Sequence, residues 1–268
     1  MEATLLNQSD NGQIKLREIS LFNWGSFADL HTAHIDPNGT LITGDNGAGK
    51  STLVDGLMAL LMPPSRANFN IAAAQNDKAD RTILSYMRGS YGQEHDGTTT
   101  ATKSKRSQKV VTGLRAYYRQ DNGNDITLIA LFWADNTATS ASDVKRLYLV
   151  ANRDVKLKTV LAEFDEKYDR TFKTWLESQH IKHMTTFDEY QKLYQEILHL
   201  NNKNAPALLS RALGLKKIDN LTDLIRTLVL EPSNLREDAQ AIVKEFQDLK
   251  KEHDILVDAQ EQVQRLEQ

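Results

Sequence analysis

Residues 44 to 51, Gly-Asp-Asn-Gly-Ala-Gly-Lys-Ser, match the pattern G-x-x-x-x-G-K-[ST] at every fixed position. Each residue type has a task at that spacing. The glycines let the backbone turn sharply and come close to phosphates with no Cβ in the way. The backbone N–H groups of Asn46, Gly47, Ala48 and Gly49 can form an anion nest. A helix that starts at Lys50 adds the unpaired N–H groups of Lys50, Ser51 and Thr52, together with a partial positive charge. Lys50 is the residue expected to reach the β- and γ-phosphates and to act in catalysis, and Ser51 the one expected to offer its hydroxyl to Mg²⁺. ATP with Mg²⁺ is the ligand this chemistry fits.

Hydrolysis needs more than a phosphate cradle. A second carboxylate must help to hold Mg²⁺, and a further group must orient the attacking water. One rival exists in LIALFWADN, where Asp135 ends an apolar run, but Asn136 follows it and the run lies in an expected hairpin. A strand that ends in a turn aspartate is the favoured reading there. Glu231, at the end of TLVLE, has helical neighbours and is weaker still, and no S-x-G-G signature occurs anywhere. The chain carries half of an ATPase site.

The surrounding elements must position that half. Ile14 to Phe22 reads as a strand, Asn23-Trp24-Gly25-Ser26 as a turn, and FADLHTAHI as an antiparallel second strand. Asp36-Pro37-Asn38-Gly39 is a turn signal, and Thr40 to Thr43 is expected to be a short buried strand. Lys50 to Met62 predicts a helix, with Leu53, Leu57 and Leu61 on one face and Pro63-Pro64 as its stop. A patternless loop over 65–80 and a short helix over 80–88 follow. Glu94 to Lys109 is small, polar and charged, and is expected to have no fixed shape. VVTGLRAYYRQ, DITLIALFWAD and KRLYLVAN read as strands, the first two joined through DNGND. From Lys156 the chain reads as mostly helical, with a capping box of Thr186 and Glu189, and with helices near 205–213 and 221–230. Ile242, Leu249, Leu256 and Val263 then recur every seven residues, and Phe246 opens an interleaved seam, which is a coiled-coil pattern.

The 268 residues allow one large domain or two small ones, and 40% of them are hydrophobic, enough for a sizeable core. A net charge of -3 means that any nucleic-acid surface must be local. With no cysteine there is no disulfide, thiolate metal site or cysteine nucleophile, and the seven histidines lack metal-ligand spacing. No apolar run reaches the ~18 residues of a membrane span, and no signal-peptide pattern opens the chain, so a soluble cytoplasmic protein is expected.

The first 60 residues resemble the N-terminal head half of SMC-like ATPases, on SLFNWGSFADLHTAHIDPNGTLITGDNGAGKSTLVDGLMALLM. Within that family the MksB/JetC branch, the motor subunit of the MksBEF and Wadjet (JetABCD) systems, is the most similar. The supporting stretches are LLMPPSRANFN, DKADRTILSYMRGSYG and LGLKKIDNLTDLIRTLVLEP. The resemblance implies an α/β fold: the N-terminal half of an ABC-type P-loop ATPase head, with a mixed sheet, an adjacent antiparallel sheet and a helical lobe, followed by the start of a coiled-coil arm. On that basis residues 1–235 are the head half and residues 236–268 the start of the arm. It further implies that the missing carboxylates and signature motif lie in the protein's own C-terminal head half, and that two such heads sandwich ATP as a homodimer. Kleisin-like and winged-helix subunits, a toprim-like nuclease in Wadjet, double-stranded DNA and a nucleoid-associated location are the implied partners and setting. The glutamine that such heads use to sense Mg²⁺ and γ-phosphate is unassigned.

The resemblance also brings Asn23 and Trp24 near the nucleotide, against the alternative of a core aromatic. It puts Arg66 near nucleotide or DNA, against a plain surface arginine. Lys103, Lys105, Arg106 and Lys109 cluster in the polar run and could neutralise DNA phosphates, against a solvated loop. Three other readings stay open: a coiled-coil DNA-repair ATPase of the RecN or SbcC type, a nucleotide-binding module that never hydrolyses, and a self-sufficient enzyme with Asp135 as Mg²⁺ partner.

Overall fold

The computed structural model describes residues 13–63, 82–96, 99–121 and 123–200, together with single helical positions between 205 and 253. The expectations for the loop at 65–80, for Arg66, for a helix near 221–230 and for most of the 205–213 helix and the coiled coil lie outside the described residues. The chain divides into two compact units, residues 1–216 and 217–268.

The first unit is built on a six-stranded sheet in the order β2-β1-β5-β6-β7-β8, and every pairing in it is antiparallel. The strands are β1 Ile14–Trp24, β2 Phe27–His34, β5 Val110–Gln120, β6 Asp125–Ala134, β7 Lys145–Ala151 and β8 Lys182–Met184. A separate ribbon pairs β3 Ser90–Asp96 with β4 Thr99–Ser104. The helices are α1 Lys50–Leu61, α2 Ile83–Arg88, α3 Leu157–Glu163, α4 Arg170–Ser178 and α5 Phe187–Ile197.

The sheet is covered on both faces, which is why β6 reads as an unbroken apolar run instead of alternating. Its Leu128, Ala130 and Phe132 pack in one cluster with Met58, Leu60 and Met87 of α1 and α2 and with Tyr190 of α5. Its Ile129, Leu131 and Trp133 pack in a second cluster with Val160 of α3 and Phe172 and Leu176 of α4. Burying both faces places helix α1 against β1 and β5, near the middle of the sheet.

Three expectations are corrected. Thr40 to Thr43 is not a strand: it is in no ladder, and Leu41 is 87% exposed. Four residues hold a strand conformation only when a neighbour takes their N–H and C=O groups, and none of the described strands lies beside them. The polar run from Glu94 is not shapeless, because most of it forms the β3–β4 ribbon. Weighing only apolar burial missed that a hairpin satisfies its own backbone; Asp96-Gly97 was the signal for it. Thr186 does occupy the N-cap of α5, but its side chain makes no capping bond, so the capping box is absent.

One ion cluster, centred on the buried Arg115, ties the sheet to α3. The Arg115 guanidinium, with no exposed side-chain surface, donates to Glu18 Oε2 at 2.8 Å and Asp154 Oδ1 at 2.6 Å. Lys156 Nζ lies 3.0 Å and 2.9 Å from the same two carboxylates. Burial alone would push the Glu18 carboxyl up; hydrogen bonds and charges from Arg115 and Lys156 outweigh it and hold the group below its ordinary value. A depressed folded-state value means that this stabilisation is full above the unfolded glutamate value of 4.5 and is lost as the pH falls below it. Melting curves between pH 7 and pH 3 are expected to show an acid loss of stability that is smaller in Glu18→Gln; an equal loss in both proteins would remove Glu18 as a contributor.

Candidate nucleotide-binding site

The phosphate loop forms as its residue types require. Gly44, Gly47 and Gly49 have φ of 149°, 84° and 93°, conformations that L side chains rarely adopt. Gly49 is the N-cap of α1 in the left-handed region, and Leu53 N donates to its carbonyl at 2.9 Å. Asn46 and Gly47 form the tip, and Ala48 N closes the turn on Asp45 O at 3.2 Å. The Lys50 ammonium is drawn to the loop, donating to Gly44 O at 2.6 Å and to Asp45 O at 2.7 Å. No acidic residue sits in the first turn of α1, so nothing there offsets the positive end of the helix. Ser51 is exposed on that turn.

These features fit a nucleoside triphosphate. The loop and helix end are open and rich in donors, and the lysine is already at the loop. The exposed Ser51 hydroxyl would be a ligand for Mg²⁺, which otherwise takes ligands from phosphates and water. Among the described residues no group of three or more His, Asp or Glu side chains could hold a metal by itself.

The loop rests on a seat that the sequence did not disclose. A Cβ on Gly49 would lie 2.9 Å from the Phe27 ring and 3.0 Å from Ser26 Oγ, so the β1–β2 turn presses directly on the helix N-cap. Trp24 has no exposed surface; its Nε1 donates to Thr52 O at 3.0 Å, and its ring stacks on Tyr86 of α2 at 4.6 Å. Tyr86 Oη donates in turn to Asp55 of α1, a buried carboxylate. Trp24 therefore sits under α1 and holds it, as the core-aromatic alternative had it. Asn23, at φ 52°, donates from Nδ2 to Val111 O at 3.1 Å and accepts from Asp29 N at 3.2 Å, so its amide shapes the turn beside the loop. Phe27, Ser26, Asp55 and Tyr86 were missed because nothing in their local spacing points to the phosphate loop; only the packing joins them to it.

The basic cluster does not form one outward patch. Arg106 is half-buried and turned inward: it donates to the carbonyls of Met87, Gly25, Tyr86 and Phe27 at 2.6, 2.9, 3.2 and 3.4 Å. These bonds correct its reading as a DNA-phosphate contact. Lys105 Nζ donates to Ser26 O at 3.3 Å, and Lys109 pairs with Glu166 at 2.6 Å. Lys103 is exposed on β4. Asp135 lies 3.4 Å from Lys145 of β7, in the ion pair of a strand end. None of the described helices is long and apolar enough to cross a membrane.

Comparison with known proteins agrees with this geometry. Residues 16–76 match the family model described as the P-loop containing region of AAA domain. Over 167 residues the chain is 30% identical to the chromosome partition protein MukB of Haemophilus ducreyi, covering 60% of this chain and 10% of that protein. Over 52 residues it is 38% identical to the "Retron Vc95 probable ATPase" of Vibrio cholerae, covering 19% of this chain and 10% of that protein. The chain thus spans 10% of the length of each of these two relatives. Fold, loop geometry and sequence similarity are consistent with a P-loop ATPase domain in the first unit.

Proposed function

We propose that this chain is the N-terminal half of the head, with the start of the arm, of an SMC-like motor that uses ATP-driven engagement of two heads to act on double-stranded DNA. The observation that carries this reading is the state of the segment leading into the phosphate loop. Thr40 to Thr43 is in no regular element and pairs with no described strand, with Leu41 87% and Ile42 40% exposed. An apolar segment of that kind beside a complete phosphate loop suits a second sheet whose other strands come from elsewhere in the protein. The C-terminal head half of the same chain is the proposed source, and it would also bring the missing carboxylates. The likeness to a chromosome partition protein supports action on DNA. In the second unit, residues 243, 246, 247, 250 and 253 are helical and Phe246, on the heptad seam, is 68% exposed, which supports an arm.

The finer assignment is to the MksB/JetC branch, acting in Wadjet-type plasmid defence with kleisin-like and winged-helix subunits and a toprim-like nuclease in the nucleoid. It rests on the resemblance of the stretches around residues 60–92 and 213–232. The test is ATP hydrolysis by this chain with and without the C-terminal head segment, with Lys50→Ala as control. Turnover is expected only when the segment is added. Full Mg²⁺-dependent turnover by the chain alone, lost in Lys50→Ala, would overturn the half-head reading.

A further inference from the structure

The geometry points to Arg106, assisted by Lys105, as the residue that positions the phosphate loop through its seat. This inference rests on the nucleotide-site reading above and adds a role that the phosphate-loop motif does not contain. Three consecutive carbonyls of the β1–β2 turn are held by two consecutive cationic side chains. Gly25 O and Phe27 O accept from Arg106, and Ser26 O accepts from Lys105. Ser26 and Phe27 are the residues against which Gly49, the N-cap of the phosphate-loop helix, is pressed. Gly25 itself lies under Thr52, where a Cβ would be 2.5 Å from Thr52 Cγ2. The same guanidinium also takes the Tyr86 and Met87 carbonyls near the C-terminal end of α2, where the helix dipole favours a cation. Gly25 N closes the cluster by donating to Tyr86 O at 2.7 Å.

The arrangement has a direction. Arg106 leaves the end of β4, and its backbone N–H donates to Arg88 O at 3.0 Å, while Lys105 N donates to Gly89 O at 3.4 Å. The root of the β3–β4 ribbon and the seat of the phosphate loop are therefore one hydrogen-bonded unit. Burial lowers the Arg106 value from its ordinary one, yet an arginine stays charged, so the fork stays in place at any pH the fold survives. Only a planar fork can reach four carbonyls of two separate segments at once; a lysine is a point charge with a different reach. Gly89, at φ 62°, leaves room for this fork, since a Cβ there would lie 2.7 Å from Arg106 Nη2.

The experiment measures the dissociation constant of a fluorescent ATP analogue and the melting temperature for five forms of the chain: wild type, Arg106→Met, Arg106→Lys, Lys105→Met and Val160→Ala. In catalysis a misplacement of about 1 Å can cost about a hundredfold in rate, and a smaller loss is expected for binding alone. Arg106→Met is therefore expected to bind roughly tenfold more weakly than wild type. Arg106→Lys should recover part of that loss, and Lys105→Met, which changes an exposed side chain and leaves the core intact, should lose about twofold to threefold. Val160→Ala, in the core on the other face of the sheet, should lower the melting temperature and leave the affinity unchanged. Wild-type affinity in Arg106→Met overturns the inference, and so does an equal loss of affinity in Val160→Ala, which would mark a general effect of stability. If Arg106→Met does not fold, unchanged affinity in both Arg106→Lys and Lys105→Met overturns it. Failure of the wild type to bind the analogue would instead strike the nucleotide-site reading itself.

Discussion

Lys50→Ala is expected to abolish ATP binding. The ammonium would form charge-assisted hydrogen bonds to two phosphate oxygens, each worth about 1.5–3 kcal/mol. Losing both is about 3–6 kcal/mol, a factor of at least a hundred in affinity. The folded chain loses only the two bonds from Lys50 to Gly44 O and Asp45 O, both on an exposed loop. Its melting temperature should therefore stay close to that of the wild type, which separates loss of binding from loss of fold. Titration with ATP and Mg²⁺ by calorimetry checks this. An affinity within a few-fold of wild type would remove the phosphate-loop assignment.

Arg115→Met is expected to produce the largest loss of stability of any single change proposed for this chain. Arg115 is fully buried and holds Glu18, Asp154 and the Val155 carbonyl, the last through Nε at 2.7 Å. Removing one member of a buried ion cluster leaves its partners charged and poorly solvated, at a cost of about 3–5 kcal/mol. Two observations place this case near the lower end of that range. Lys156 still faces both carboxylates, and Asp154 retains 31% side-chain exposure. Because whole domains are stable by only about 5–15 kcal/mol, a loss of about 3 kcal/mol is readily read from urea unfolding. A change below about 1 kcal/mol would mean that the cluster is no stronger than a surface ion pair.

The two residues show how differently sequence and structure speak. Lys50 was legible because its chemistry is local: the loop, the helix start and the lysine lie within eight residues of one another. Arg115 was illegible because its partners are distant in the chain, with Glu18 and Asp154 separated from it by 97 and 39 positions. The same contrast runs through the strands. β1, β2, β5, β6 and β7 could be read from composition and turn signals, and the turn DNGND does join β5 to β6. β8 could not, since three residues carry too short a pattern, and it exists because β7 offers it an edge. The β3–β4 ribbon runs against its polar composition, because a hairpin pairs its own backbone groups without burying apolar surface, and its Asp-Gly step is the local signal for it.

The phosphate-loop motif, the helix that follows it and most of the strands beneath are legible from the chain's own residues. Those depend on backbone conformation and short-range periodicity, which neighbouring residues set among themselves. What the cations and aromatics near the loop do emerges only from packing. It turned Arg106 inward onto the turn at Gly25 to Phe27 and buried Trp24 under α1. It also left Thr40 to Thr43 without a strand partner among the described residues. A side chain's role follows from which donors and acceptors remain within reach after the sheet has formed, and the strand pairing joins residues as far apart in the chain as Ile14 and Gln120.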